Sequence, residues 1–439
     1  MKSQQATLVS ERTLPFKVAL AGFGTVGQSI ARMLCSKGWP ELRLTHIYNR
    51  NVERKKVDWI PSNVKWTDRI GDIFSSDADI FVELIGNLSP AEEWIRRALS
   101  SGKSVVTANK QVISHYGRDL SELAVRHHQY LGFEASVAGG IPILRSLRDG
   151  LVGDRLVRIL GILNGTCNYI LTRIENAQII FSEALKEAQE LGIAEADPSA
   201  DIDGSDAQAK LAILCRVGLR RNIDMKGVQL RSIKPLEPID FIYARKLQCT
   251  IRQISKAEID KSDGSRVISS VQPMLVPISS PLANISGSQN VVVVEGEYGG
   301  ETAFSGFGAG GRPTAVSIMS DLVAITRANS LAATKQSNNP IVEADTTCDF
   351  LAPHFVRLVV NDRPGIIASL AQVFSQNGIN IDSVLQEPGW PKTALPFVVT
   401  LEECNTSNMR EALRKVEKLE FNAQPPLWLP ILDQSKQPQ

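Results

Sequence analysis

The sequence predicts an α/β protein. It should hold a doubly wound parallel sheet, a mixed α+β middle domain and a C-terminal βαββαβ unit. Three observations carry this. Short apolar strands alternate with helical stretches through the first third, which implies βαβ units. The pattern changes in the middle third. Beyond a polar stretch rich in Ser, Thr and Asn, a compact strand–helix–strand–strand–helix–strand order follows.

The chain has 439 residues, enough for about three domains at the usual ~100–200 residues each. It is 43% hydrophobic and 22% charged, which excludes wholesale disorder. Lys and Arg number 48 and Asp and Glu 47, so the basic excess that nucleic-acid binding requires is missing. No window approaches the ~18 apolar residues of a membrane span, so neither nucleic acid nor membrane is an expected partner. The six cysteines are scattered, with no metal-ligating spacing, and read as reduced thiols of a cytoplasmic protein. Met1–Pro15 is polar, lacks the apolar core of a secretory signal, and is expected to be a disordered extension.

From Lys17 to Ala21 the apolar run KVALA reads as a buried parallel strand. Gly22-Phe-Gly-Thr-Val-Gly27 follows, then a helix over Gln28–Ser36. Further strands are expected at Leu42–Tyr48, Ala78–Ile85, Ser104–Thr107 and Tyr130–Ser136. Helices at Pro90–Ser100 and Gly117–His128 separate them. In the middle third, helices are expected at Ile141–Gly150, Phe181–Leu191 and Ala207–Val217. Strands are expected there at Leu156–Leu163, Met274–Pro277 and Asn290–Glu295. Phe304–Thr314 reads as a glycine-rich loop leading into a helix over Ala315–Arg327. Asn329–Asp349 reads as a linker. The last unit takes strands at His354–Val360, Ile379–Leu385, Leu395–Leu401 and Leu427–Leu432, with helices at Pro364–Asn377 and Asn405–Leu419. That is a ferredoxin-like order.

Gly22, Gly24 and Gly27 fit G-x-G-x-x-G between a strand and a helix, the context a dinucleotide fingerprint requires. The first sheet is therefore expected to be Rossmann-type, with the cofactor phosphates on the helix N-terminus. The second strand ends Tyr48-Asn49-Arg50, with no acid to bond a ribose 2′-hydroxyl. A cation there suits a 2′-phosphate, so NADP is favoured and NAD remains possible. The alternative is a solvated basic turn.

The segment Glu195-Ala-Asp-Pro-Ser-Ala-Asp-Ile-Asp-Gly-Ser-Asp206-Ala-Gln-Ala-Lys210 concentrates five carboxylates and a lysine. Asp206 and Lys210 are four apart and share a helix face. One reading is a helix-start cluster with an ion pair. The other is a cleft in which Lys210 exchanges a proton with an alcohol or oxyanion, while Glu195 and Asp206 bind a substrate ammonium.

At this point the chain resembles the homoserine dehydrogenase family, of the type with a C-terminal ACT domain. The resemblance rests on Ala21–Gly27, Val106-Thr-Ala-Asn-Lys-Gln111, Glu134-Ala-Ser-Val-Ala-Gly-Gly-Ile-Pro-Ile143, Gly161-Ile-Leu-Asn-Gly-Thr-Cys-Asn-Tyr-Ile-Leu171, Glu195–Lys210 and Gly308-Ala-Gly-Gly-Arg-Pro-Thr-Ala315. These occur in the family's order. The resemblance implies reversible reduction of aspartate 4-semialdehyde to homoserine with NADPH or NADH. It implies Lys210 as the acid–base group and Lys110 as a second site lysine near the nicotinamide. Glu195, Asp206 and Thr166 would serve the substrate. Gly22, Gly24, Thr25, Val26, Gly27, Arg50, Thr107, Lys110, Gly192 and Gly310 would serve the cofactor. Glu134, Val137, Gly139 and Ile141 match a structural sodium site built largely from carbonyl oxygens.

The implied domains are 16–140 for the cofactor, completed by 305–328, then 141–304 for substrate and dimerisation. A linker at 329–352 and an ACT domain at 353–432 would follow. Leu358-Val-Val-Asn-Asp-Arg-Pro-Gly-Ile-Ile367 and Gly378-Ile-Asn-Ile-Asp382 carry the ACT resemblance. It implies an amino-acid effector beside Gly365, with threonine the candidate, and a homodimer or homotetramer. The polar linker suggests that this unit folds apart from the catalytic body. Departures from the family pattern are Gly86-Asn87, Thr166-Cys167 and the lack of a histidine after Thr400. Phe241–Ala257 matches poorly and receives no assignment. The competing readings are another dehydrogenase of Rossmann-plus-ACT type and a non-catalytic amino-acid sensor on the same fold.

Overall fold

The computed structural model describes residues 14–327 and 341–433. Most of the expected N-terminal extension, and residues 328–340 of the expected linker, lie outside the described residues. The chain divides into two units. One comprises the chain up to Val152 with Phe307–Pro340, and the other comprises Gly153–Gly306 with Ile341 onward.

The first unit holds a sheet of β1 (Phe16–Ala21), β2 (Leu42–Tyr48), β3 (Lys65–Thr67), β4 (Ile80–Glu83), β5 (Ser104–Thr107) and β6 (Leu131–Gly132). The order is β3-β2-β1-β4-β5-β6, with parallel pairing throughout. The strand order reverses direction between β1 and β4, which places a ligand crevice at the end of β1. The KVALA run is apolar because β1 lies between β2 and β4 inside the sheet, where Val18, Ala19, Leu20 and Ala21 are all fully buried. Helix Gly311–Arg327 belongs to this unit, and its Ala315, Ile318 and Leu322 pack with Ile30, Ala31 and Val18 in one core.

Two expectations are corrected here. The strand expected over Tyr130–Ser136 pairs only at Leu131–Gly132, and Glu134–Ser136 turns as a 3-10 helix. The Glu134 N–H leaves the ladder to bond Asp321 Oδ2 at 2.9 Å. The helix expected from Ala315 begins at Gly311, and the first part of the expected loop is strand.

The second unit holds β7 (Leu156–Ile162), β8 (Arg221–Ile223), β9 (Gln229–Leu230), β10 (Cys249–Ile259), β11 (Arg266–Pro277), β12 (Gln289–Gly296), β13 (Gly300–Phe307) and β14 (Val342–Thr347). The order is β13-β12-β7-β10-β11-β14-β8, with β9 against β11. The unassigned stretch Phe241–Ala257 contains the end of helix Pro238–Lys246 and most of β10. Where a linker is expected, Val342–Thr347 pairs with both β11 and β8. Its polar side chains are tolerated because the strand is largely solvent-facing.

The C-terminal sheet contains β15 (Leu351–Val360), β16 (Ile381–Gln386), β17 (Leu395–Asn405) and β18 (Leu427–Pro430). Its order is β16-β17-β15-β18, antiparallel, with helices Ile366–Gln376 and Thr406–Val416 on the chain between the strands. This is the expected βαββαβ unit, but its independence is overturned. Phe355, Val398, Leu427 and Leu429 share one hydrophobic core with Ile239, Phe241 and Tyr243. The Tyr243 hydroxyl donates to the Pro396 carbonyl at 3.1 Å and accepts from the Glu387 N–H at 3.0 Å. One face of the C-terminal sheet is therefore covered by helix Pro238–Lys246, whatever the composition of the segment that connects them.

Candidate active site

The fingerprint sits where β1 turns into helix Thr25–Leu34. Gly22 has φ +109°, and a Cβ there would lie 2.6 Å from the Leu84 carbonyl oxygen. A Cβ on Gly27 would collide with the Gly22 carbonyl. Both positions therefore exclude a side chain, and β1 can pack tightly on its helix. Gly24 opens to free space, and no side chain caps the helix that follows. Thr25 is exposed and Val26 half-buried at this end. The uncapped N–H groups and helix dipole suit a pyrophosphate, so these residues fit a dinucleotide. Gly310 precedes helix Gly311–Arg327, whose first residue lies against Thr25 and Ser29. Arg50 is exposed in the turn after β2.

Sequence reasoning missed the group that organises the neighbouring strand end, since Glu83 of β4 pairs with Ala21 of β1 just before the fingerprint. Glu83 ends β4 fully buried and accepts from the Ile85 N–H at 2.8 Å and Thr107 Oγ1 at 2.6 Å. Burial pushes its carboxyl up from the ordinary range. The Thr107 hydroxyl also accepts from the Asn109 N–H at 2.9 Å, so it is engaged within the protein. Asn109 caps helix Lys110–Arg126 through the Val112 N–H. That network fixes Lys110 as the first residue of the helix. The sequence signal was an acid ending an otherwise apolar strand.

The proposed cation ligands lie in the first unit. Glu134 is buried, and its two carboxylate oxygens accept from the Leu144 and Arg145 N–H groups at 2.8 Å. The Gly139 carbonyl accepts from Ser317 Oγ at 2.6 Å, and the Ile141 carbonyl from the Ile143 N–H at 2.8 Å. Each of these oxygens keeps a second lone pair. The set is hard and carbonyl-rich, a chemistry that fits sodium. Among the described residues, no three His, Cys, Asp or Glu side chains are grouped to hold a metal ion.

The lysine cluster lies in the second unit. Helix Ser205–Leu214 presents Asp206 and Lys210 on one face, with side chains 8% and 12% exposed. Lys210 Nζ donates to Asp206 Oδ2 at 2.6 Å and to the Leu163 carbonyl at 2.8 Å. Asn164 donates from Nδ2 to Asp206 Oδ2 at 2.9 Å and to Asp201 Oδ1 at 2.5 Å. Burial raises the Asp201 carboxyl, opposed by the bond from Asn164. Thr166 Oγ1 donates to the Ile193 carbonyl at 3.1 Å, which ties the loop carrying Gly192 to helix Gly165–Ala177. Glu195 is exposed on this loop, and its backbone carbonyl accepts from Gln189. Its carboxylate takes no part in the Asp201–Asn164–Asp206–Lys210 network. The geometry thus joins Lys210, Asp206 and Thr166 to one wall, adds Asn164 and Asp201, and leaves Glu195 free to meet a ligand.

Comparison with known proteins gives matches to each part. The family model for the homoserine dehydrogenase NAD-binding domain matches residues 22–134. The homoserine dehydrogenase model matches 142–323 and the ACT domain model 354–421. A homoserine dehydrogenase of Bacillus subtilis is 37% identical over 91% of this chain and 95% of its own length. The crystal structure of a homoserine dehydrogenase from Thiobacillus denitrificans superposes with a TM-score of 0.86 at 31% identity, covering 95% of this chain and 98% of the other. A hyperthermophilic archaeal homoserine dehydrogenase in complex with NADPH superposes with a TM-score of 0.60 at 28% identity, covering 71% and 98%.

Proposed function

This chain belongs to the homoserine dehydrogenase family, NAD(P)-dependent oxidoreductases acting on a CH–OH group, and from that premise we propose that it interconverts L-aspartate 4-semialdehyde and L-homoserine with NADP(H). The step would serve threonine, methionine and isoleucine biosynthesis in the cytoplasm. One observation carries the reading: a half-buried Lys210 ammonium pinned by the Leu163 carbonyl and Asp206.

The cofactor, when bound, exchanges hydride with the carbon that bears the oxygen. Gly22, Gly24 and Gly27, with Thr25 and Val26, would hold its pyrophosphate, and Gly310 would line the same helix end. Arg50 would pair with a 2′-phosphate, which supports NADP over NAD. Lys210 has two of its three ammonium protons committed, so the third can pass to the substrate oxygen as charge develops there. The neighbouring Asp206 carboxylate accepts from that ammonium and orients it. Glu195 and Asp206 would bind the α-ammonium, with Thr166 and Gly192 shaping the loop. Lys110, at its helix start, is assigned as the second site lysine.

The remaining assignments are of the same kind. Residues 16–140 with 305–328 would bind the cofactor, 141–304 the substrate, and 353–432 an amino acid. Glu134, Val137, Gly139 and Ile141 would hold a structural sodium ion. A homodimer or homotetramer is the proposed assembly, and threonine is the proposed effector, bound beside Gly365. The test is steady-state oxidation of homoserine with each cofactor, followed by near-ultraviolet absorbance. Turnover is expected with NADP. No turnover with either cofactor overturns the activity, whereas a strong preference for NAD overturns only the role of Arg50.

A further inference from the structure

We propose that Asn164 is a positioning residue for this reaction: its carboxamide holds Asp206, and through it the Lys210 ammonium, in the geometry that proton transfer needs. The proposal rests on Lys210 as the acid–base group. Asn164 follows the end of β7 and is buried. All of its hydrogen-bonding directions that face the cluster are used. Oδ1 accepts from the Cys167 N–H at 2.8 Å and caps helix Gly165–Ala177. Its two amide protons go to different carboxylates, Asp206 Oδ2 at 2.9 Å and Asp201 Oδ1 at 2.5 Å.

Two features separate this side chain from an ordinary helix cap. First, the Asp206 oxygen that it holds is the same atom that accepts from Lys210. The other Lys210 contact is the carbonyl of Leu163, the residue immediately before Asn164. The Leu163–Asn164 pair therefore sets both fixed contacts of the ammonium. Second, Asp201 and Asp206 are two partly buried carboxylates served by one lysine. The carboxamide places a donor on each, which keeps both from competing for Lys210. A cap alone needs only the Oδ1 acceptor.

That difference defines the experiment. Asn164→Asp is isosteric, keeps a good capping oxygen, and removes only the amide donor while adding a third negative charge. Asn164→Ser is a second cap-competent variant without the added charge. A purely structural cap predicts wild-type turnover in both. The positioning role predicts kcat lower by roughly 10- to 100-fold, because displacement of a catalytic group by about 1 Å has effects of that size. KM for NADP should stay within about twofold, since the cofactor fingerprint is untouched, and the solvent deuterium isotope effect on kcat should rise as proton transfer becomes limiting. Each variant is compared by circular dichroism, and those with the wild-type spectrum are read. A folded variant with kcat within about threefold of wild type and an unchanged isotope effect overturns the proposal. Loss of the fold in both overturns it in favour of a structural role. Lys210→Ala is assayed in parallel. If it turns over normally, the reading of the site itself fails. If it is inactive while the Asn164 variants are normal, only the present proposal fails.

Discussion

Arg357 Nε donates to Asp240 Oδ1 at 2.6 Å with both side chains buried, and this pair joins strand β15 to helix Pro238–Lys246. Asp240 Oδ2 accepts from the Glu237 N–H at 2.8 Å and so also closes the helix start. Burial pushes the Asp240 carboxyl up to about 6, while the guanidinium pulls it down. Arg357→Met should leave a buried carboxylate uncompensated and lower stability by roughly 3–5 kcal/mol. The double replacement Arg357→Met with Asp240→Asn should recover part of that loss. Urea denaturation of the three variants measures both effects, and equal loss in single and double variants would show that the pair is uncoupled.

The shared core predicts that the C-terminal unit cannot be cut away cleanly. Truncation before Leu351 would expose Ile239, Phe241 and Tyr243, which pack against Phe355, Val398, Leu427 and Leu429. The truncated chain should aggregate or unfold instead of giving an active, threonine-insensitive enzyme. Regulation is better tested in the full chain. Gly365 is exposed with φ +95°, a conformation a β-branched residue resists. Gly365→Val should abolish inhibition by threonine while kcat without threonine stays near wild type. A wild-type chain indifferent to every amino acid of this pathway would instead point to an oligomerisation role.

Arg50 is exposed and follows a strand end that lacks an acid. Arg50→Ala should raise KM for NADP by roughly tenfold, the equivalent of one charge-assisted contact of about 1.4 kcal/mol. KM for NAD should not change. A parallel rise for both cofactors would remove the 2′-phosphate assignment.

Lys210→Ala should lower kcat by about 10²–10⁴-fold with the fold retained, the usual effect of losing an acid–base group. Glu195→Gln should mainly raise KM for homoserine, because the exposed carboxylate takes no part in the Lys210 network. Near-normal kcat for Lys210→Ala returns that residue to a structural ion pair, and a rise in cofactor KM for Glu195→Gln refutes the ammonium contact.

His354 is fully buried, and its Nδ1 accepts from Trp428 Nε1 at 3.0 Å. Its other nitrogen lies 3.2 Å from the Cys404 carbonyl and so carries the proton. Burial lowers its pKa to about 4, from an ordinary value of 6.5. The folded state therefore binds fewer protons than the unfolded state between these values. Stability from neutral His354 is present above about pH 6.5 and is lost as pH falls through about 4. Asp240 acts oppositely, so the measurement is the difference between wild type and His354→Gln. That difference should shrink from pH 7 to pH 4.5 in urea denaturation, and a constant difference would contradict the buried neutral imidazole.

The sequence alone determined the features that are local. The KVALA strand and the glycine fingerprint are read from adjacent residues, and Asp206 and Lys210 share a face because they are four apart. The order of the βαββαβ unit follows from successive short periodic runs. Tertiary structure decided the rest. β10 and β11 pair along eleven residues, yet carry buried Arg252, Gln253, Ser255, Ser269 and Gln272, so their polarity hides a core ladder. Val342–Thr347 looks like a linker and becomes a strand because β11 and β8 offer it backbone partners. Asn164 gains its role from Asp201 and Asp206, 37 and 42 residues away. A buried polar group must be satisfied, but nothing in its sequence neighbourhood says by what. Only the folded chain brings the partner, and with it the charge and the position that make the side chain functional.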